Sequence, residues 1–210
     1  MTTLVVIAKE PLPGKAKTRL HPPLTLEQAA ELAAAAIDDT LRAMAVVHAT
    51  RKILLFDGNR LPPRSEPYDV IEQISGTLDA RLGALFDTCD GPTVLIGMDT
   101  PQLTASDLAP AFTDWPDDID AWFGPASDGG YWALGMREPR GDLIRGVPMS
   151  RDDTGQLQLE RLIDAGLTVG VLPTLTDVDT IADAYEVARL APTTSFAATL
   201  ASFAATEATA

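Results

Sequence analysis

Residues 4–8, Leu-Val-Val-Ile-Ala, form a short unbroken apolar run, and Thr25-Leu-Glu-Gln28 opens a long Ala-rich stretch. The run has the length and β-branched content of a strand buried on both faces. Thr25 and Gln28 stand three apart, as a capping box requires, so a helix is expected from Leu26 to the mid-forties. The segment between carries Pro11, Pro13, Gly14, Pro22 and Pro23. A strand, a stiff loop and a helix in this order commit the chain to an α/β architecture. The loop then lies at the carboxyl end of a parallel sheet, where ligands bind. This loop also gathers charge. The chain has four lysines, and Lys9, Lys15 and Lys17 all fall here with Arg19, against a net charge of −14 for the whole protein. Phosphate accounts for such a local excess, because it draws several cations and backbone N–H groups to one point. The prolines fix the loop and Gly14 permits close approach, neither of which a merely solvated basic surface requires.

The 210 residues suit one domain over 1–191, followed by an Ala/Thr-rich tail over 192–210 in which Phe196, Leu200 and Phe203 keep helical spacing. Further strands are expected over residues 53–56, 69–73, 93–97, 121–123, 131–136 and 168–172. Helices are expected after Gly76-Thr77, from Thr104, over 154–165, and from the Thr180 region to about Leu190. This alternation describes a three-layer α/β/α fold, a doubly wound and mostly parallel sheet with one antiparallel excursion. The acidic balance opposes binding to nucleic acid or an anionic membrane, so an anionic partner should be small and held at the basic loop. No apolar stretch is long enough to span a bilayer and no leader pattern opens the chain, so a cytoplasmic protein is expected. Cys89 is the sole cysteine, and His21 and His48 belong to no evident triad or zinc cluster.

Three acidic features fall at other expected strand ends. Asp99 follows the apolar run at 93–97, where a carboxylate needs a cation or a hydrogen-bond network unless it only shapes the turn before Pro101. Asp177 and Asp179 are two apart and share a side in extended backbone. With Asp99, either would supply hard oxygens to a divalent cation; one of the pair is expected to cap the last helix instead. Asp128-Gly129-Gly130 is either an ordinary hairpin turn or a close backbone approach to a ligand whose hydroxyls Asp128 accepts.

Taken in order, Lys9 to Leu20, Gly97 to Leu103, Gly124 to Tyr131 and Asp177 to Thr180 resemble the motifs of a bacterial family of glycosyltransferase-like proteins with the GT-A, nucleotide-diphospho-sugar transferase fold. The likeness spans about residues 3–190. More distantly the chain is similar to the phospholactate and molybdenum-cofactor guanylyltransferases. The resemblance implies a nucleoside triphosphate or a nucleotide sugar, Mg2+ (or Mn2+) and a small-molecule acceptor, and it allows a homodimer. It implies phosphate binding by Lys17 and Arg19, and Lys9, Pro13, Gly14, Lys15, Thr18 and Gly76 are expected to complete the nucleotide site. It implies metal binding by Asp99, Asp177 and Asp179; Lys17 and Arg19 are the expected catalytic cations, Asp128 the expected base or sugar ligand in glycosyl transfer, and Gly129, Gly130 and Ser150 the expected acceptor-binding residues. Met98, Gln102 and Met149 depart from the family pattern and border these positions. Nucleotidyl transfer from a nucleoside triphosphate to a phosphorylated small molecule is the favoured expectation. The alternatives are glycosyl transfer and a non-catalytic nucleotide sensor.

Overall fold

The computed structural model describes residues 2–207, and side chains up to residue 204; residues 208–210 of the expected tail lie outside the described residues. Seven strands form one sheet: β1 (Thr3–Lys9), β2 (Arg51–Asp57), β3 (Asp69–Glu72), β4 (Thr93–Ile96), β5 (Ala121–Pro125), β6 (Tyr131–Met136) and β7 (Val169–Val171). Their spatial order is β3-β2-β1-β4-β6-β5-β7. All neighbouring pairs are parallel except those of β6, which runs against both β4 and β5. Successive parallel strands leave β1 toward β2 on one side and β4 on the other. The carboxyl ends of β1 and β4 therefore frame the switch point at which open α/β sheets take their ligands.

The helices are α1 (Leu26–Ala45), α2 (Leu78–Phe86), α3 (Ala109–Phe112), α4 (Thr154–Asp164), α5 (Ile181–Leu190) and α6 (Ser195–Glu207). The capping box expected at the head of α1 is present, with Thr25 Oγ1 accepting from the Gln28 N–H and Gln28 Oε1 from the Thr25 N–H. The Thr104 segment departs from expectation. Asp107 caps it into a turn, accepting from the Thr104 N–H at 2.8 Å, and helix forms only over the four residues of α3.

Strand alternation divides the core. Leu4, Val6 and Ile96 pack with Leu41 and Met44 on one face of the sheet, while Val5 and Leu95 pack with Phe86 and Leu134 on the other. A third cluster bears on function. Leu20 and Leu24 of the basic loop and Val178 of the Asp-Val-Asp motif join Leu32, Val187, Phe196, Leu200 and Phe203 in one buried group. The tail is thus a helix packed on α1 and α5. Its N-terminus is held by Asp39 of α1, whose carboxylate accepts from the N–H groups of Ser195 at 3.0 Å and Phe196 at 2.7 Å.

A carboxylate and ammonium cluster at the switch point

The loop after β1 is anchored at Ala16 and Leu20, both fully buried, and Lys17 is carried between them. Lys17 adopts the left-handed conformation at φ 48°. Among the described residues, only Lys17 and Ser150 reach positive φ without being glycine. That backbone costs a Lys about 1–2 kcal/mol, so its surroundings must hold it there. They do so through charge. Lys17 Nζ lies 2.9 Å from Asp99 Oδ1 and 3.3 Å from Asp179 Oδ1, and Arg19 lies 2.9 Å from Asp179 Oδ2. The Lys17 side chain is only 8% exposed, whereas that of Arg19 is 70% exposed.

The acidic side is assembled by backbone pairing. The Val178 N–H donates to the Asp99 carbonyl at 3.0 Å, and Gln102 Nε2 donates to the Thr176 carbonyl at 2.7 Å. The Ser127 N–H donates to the Leu175 carbonyl at 2.9 Å. These contacts join the segments that follow β4, β5 and β7. Carboxylate oxygens of Asp128, Asp177 and Asp179 come within 4.8 Å of one another as a result. Asp99 therefore faces Lys17, and Asp128 is the acid that completes a trio with the Asp177/Asp179 pair. Neither Asp177 nor Asp179 caps the helix that follows them, α5, contrary to the expectation for one of the pair: Thr180 does so, in a capping box with Asp183.

Electrostatics follow from this crowding. Burial works to strip the proton from Lys17, but Asp99 and then Asp177 outweigh it, and the amino group's pKa is raised. Burial, reinforced by the charge of Asp99, pushes the Asp177 carboxyl up to about 8, although Lys17 pulls the other way. Four carboxyl groups thus gather beside two cations, which pair with Asp99 and Asp179, while burial and the charge of Asp99 favour the protonated form of Asp177 near neutral pH. The donors are all oxygens and carry excess negative charge, which fits a hard divalent cation that also keeps water and phosphate ligands.

The remaining predicted residues are distributed along the same end of the sheet. Lys9 and Lys15 are exposed, and among the described residues neither side chain makes an ion pair or hydrogen bond. Pro13, Gly14 and Thr18 are exposed on the loop, with Gly14 at φ 73°. Gly76 lies apart, ahead of α2, where its carbonyl accepts from Arg81 Nε at 2.8 Å. Gly129 and Gly130 do allow a close backbone approach, but to this chain. A Cβ on Gly129 would fall 1.9 Å from the Asp152 carbonyl oxygen, and the Gly155 N–H donates to the Gly129 carbonyl at 2.8 Å. Ser150, at φ 59°, is exposed in the loop before α4. Gln73 had drawn no attention in the sequence. Its amide bonds the carbonyls of Ala8 at 2.9 Å and Leu55 at 3.2 Å, and Arg81 donates to its oxygen, so it ties the ends of β1 and β2 together. A hollow of about 390 Å³ between Val46–His48 and Ala105–Thr113 is mostly apolar and lies away from these acids. The Thr50 N–H donates to the Thr2 carbonyl nearby, which places that hollow at the opposite end of the strands.

A seven-stranded sheet with one reversed strand and charged loops at its switch point is the architecture of the GT-A-type nucleotide-dependent transferases. The chain belongs to the family described as an uncharacterized protein conserved in bacteria (DUF2064), whose model matches residues 29–151, more than half of its length. It is similar to a structure from Desulfovibrio desulfuricans G20, provisionally described as a nucleotide-diphospho-sugar transferase. The two are 27% identical with a TM-score of 0.85, over 97% of this chain and 95% of that one. The fold also recurs in 2-C-methyl-D-erythritol 4-phosphate cytidylyltransferase from Thermus thermophilus, at 16% identity and a TM-score of 0.55, over 91% and 100% of the two chains. It recurs again in CMP:2-keto-3-deoxy-manno-octonic acid synthetase complexed with CTP, at 13% identity and a TM-score of 0.56, over 90% and 97%. No curated protein matches the sequence. No helix among the described residues is long and apolar enough to cross a membrane.

Proposed function

We propose that the protein is a nucleotide-utilising transferase that moves a nucleotidyl group from a nucleoside triphosphate to a phosphorylated small molecule with the aid of Mg2+ or Mn2+. The observation that carries this reading is the meeting of Lys17 and Arg19 with Asp99 and Asp179 beside the Asp128/Asp177/Asp179 trio. Cations from the first loop and acids from three later ones share one edge of the sheet, the arrangement a triphosphate and its counter-ion need. Lys9 and Lys15, free of internal partners, meet phosphate oxygens. Lys17 pairs with Asp99 and Asp179 and fixes their carboxylates, and Arg19 stands exposed where it serves both an acid and a phosphate. When bound by the carboxylates, a divalent cation supplies charge neutralisation on phosphate oxygens.

An acceptor phosphate oxygen attacks the α-phosphorus in line. A new P–O bond forms, the bond from the α-phosphorus to the bridging oxygen breaks, and pyrophosphate leaves with the electron pair. Positioning and charge stabilisation carry such a reaction without a protein nucleophile, in keeping with a site built of Lys, Arg and Asp. Incubation with MgCl2, each of the four nucleoside triphosphates and a series of phosphorylated hydroxy acids is expected to release pyrophosphate, and Lys17→Ala to abolish that release. Unchanged turnover in Lys17→Ala removes the loop from the mechanism.

The likeness to the Desulfovibrio desulfuricans G20 structure favours a second reading, glycosyl transfer from a nucleotide sugar. It predicts that a nucleotide sugar competes out the matching triphosphate; the opposite ranking supports nucleotidyl transfer.

A further inference from the structure

Gly97 ends the apolar run Thr93-Val-Leu-Ile, and glycine is a poor choice there on local grounds. It weakens a strand end, and its presence in one marks a close approach by another backbone or by a ligand. The chain has 15 glycines, and the structure gives the others a reason. Each either adopts positive φ or would, with a Cβ, fall within 3.1 Å of a neighbouring group. Gly97 does neither. Its φ is ordinary, and a Cβ would find only the Asp99 nitrogen, at 4.0 Å. Its backbone is also held in place, the N–H donating to the Trp132 carbonyl at 3.0 Å. Neither torsion nor packing within the chain calls for the missing side chain.

Its location supplies what the chain does not. Gly97 lies just past β4 at the switch point, two residues before Asp99. Val94 and Ile96 pack on the Leu4/Val6 face and Leu95 on the Val5 face, so alternation turns position 97 toward the Val5 face. The same alternation in β1 turns Lys9 to that face, and the Lys9 N–H donates to Met98 Sδ at 3.4 Å, joining the two strand ends. The pairing of β1 with β4, Val6 opposite Ile96, sets Ile7 level with position 97, so the bare backbone of Gly97 and the Lys9 side chain stand on one face of the sheet, two residues apart along β1.

We infer that Gly97 is a contact surface for the nucleotide: its lack of a side chain lets the sugar-phosphate portion lie against the end of β4, with Lys9 as counter-charge. The inference rests on the nucleotide reading proposed above. The residue at 97 then sets how deeply the ligand sits, and a larger one lifts it away from Lys9 and Asp99.

The test compares Gly97→Ala, Gly97→Val and Lys9→Met with the wild type by calorimetric titration with MgATP, MgGTP, MgCTP and MgUTP, and by thermal melting. Gly170→Ala is the packing control, since a Cβ there would fall 2.3 Å from the Trp122 ring. The Gly97 variants are expected to melt within about 2 °C of the wild type, and Gly170→Ala to melt several degrees lower. For whichever nucleotide the wild type binds, Gly97→Ala is expected to raise Kd about tenfold and Gly97→Val about a hundredfold, with Lys9→Met about tenfold. Wild-type affinity in Gly97→Val, or melting of the Gly97 variants as low as that of Gly170→Ala, overturns the inference while leaving the nucleotide reading in place. A wild type that binds none of the four overturns the nucleotide reading and the inference with it.

Discussion

Asp177→Asn isolates the charge imbalance at the site. Burial and Asp99 raise the Asp177 carboxyl from an ordinary 3.8 to about 8. Below pH 4 the folded and unfolded chains both keep this proton, and it contributes nothing to stability. As pH climbs from 4 to 8 the unfolded chain gives the proton up while the folded one retains it, so stability falls across that window and levels off above it. Four units correspond to roughly 5–6 kcal/mol at about 1.4 kcal/mol per unit. Asp177 keeps part of its hydration, being only half-buried, so about 1–2 kcal/mol is the expected loss. An Asn cannot ionise and escapes it. In EDTA, Asp177→Asn should melt together with the wild type at pH 4 and about 3–6 °C above it at pH 8.5, at the 2–4 °C per kcal/mol expected for a chain of this size. Millimolar MgCl2 at pH 8.5 should raise the wild type and leave the variant unmoved, closing the gap. Melting curves followed by circular dichroism at half-unit pH steps check both. A gap that is constant across pH, or a variant that melts below the wild type at pH 8.5, refutes the account of the Asp177 environment.

Other outcomes follow from contacts at and beyond the site. Lys17→Met leaves Asp99 and Asp179 short of their shared cation and should cost about 3 kcal/mol in urea denaturation without nucleotide, and more with a nucleotide that stabilises the wild type by binding; an unchanged midpoint without nucleotide refutes the pairing. Asp39→Ala strips α6 of the carboxylate that accepts from Ser195 and Phe196, and should cost about 2 kcal/mol; an unchanged denaturation midpoint removes Asp39 as the anchor. Gly129→Ala drives a methyl into the Asp152 carbonyl at φ 87°, and should lower the melting temperature by several degrees through backbone strain.

Most of the fold is legible from local pattern. The central strands are short apolar runs, and the heads of α1 and α5 carry their own caps. Position 104 misleads because Thr104, Ser106 and Asp107 satisfy one another in a turn, and side chains that can do so compete with the helix they would otherwise start. The grouping of the acids is less legible. Asp99, Asp177 and Asp179 can be singled out by their positions after apolar runs. That Asp128 stands with the last two depends on the adjacency of β5 and β7 and the bridge from Ala126 to Leu175, which no spacing in the chain encodes. Likewise the cations of the first loop read as free phosphate ligands until the fold shows Lys17 already spoken for by two acids and Lys9 and Lys15 left over. Gln73 falls at the end of the strand expected over 69–73, where nothing local marks its amide, and its role exists only once β1 and β2 lie side by side.

The third buried cluster has a consequence for synthesis. Lys17 must find Asp179 across 162 positions of chain, and the apolar group that steadies both segments closes only with Phe196, Leu200 and Phe203. A ribosome therefore exposes the first loop long before the segments that support it. During translation Lys17 meets Asp99 well before Asp179, and residues 196–203 must leave the exit tunnel before this end of the sheet acquires its final charge pattern.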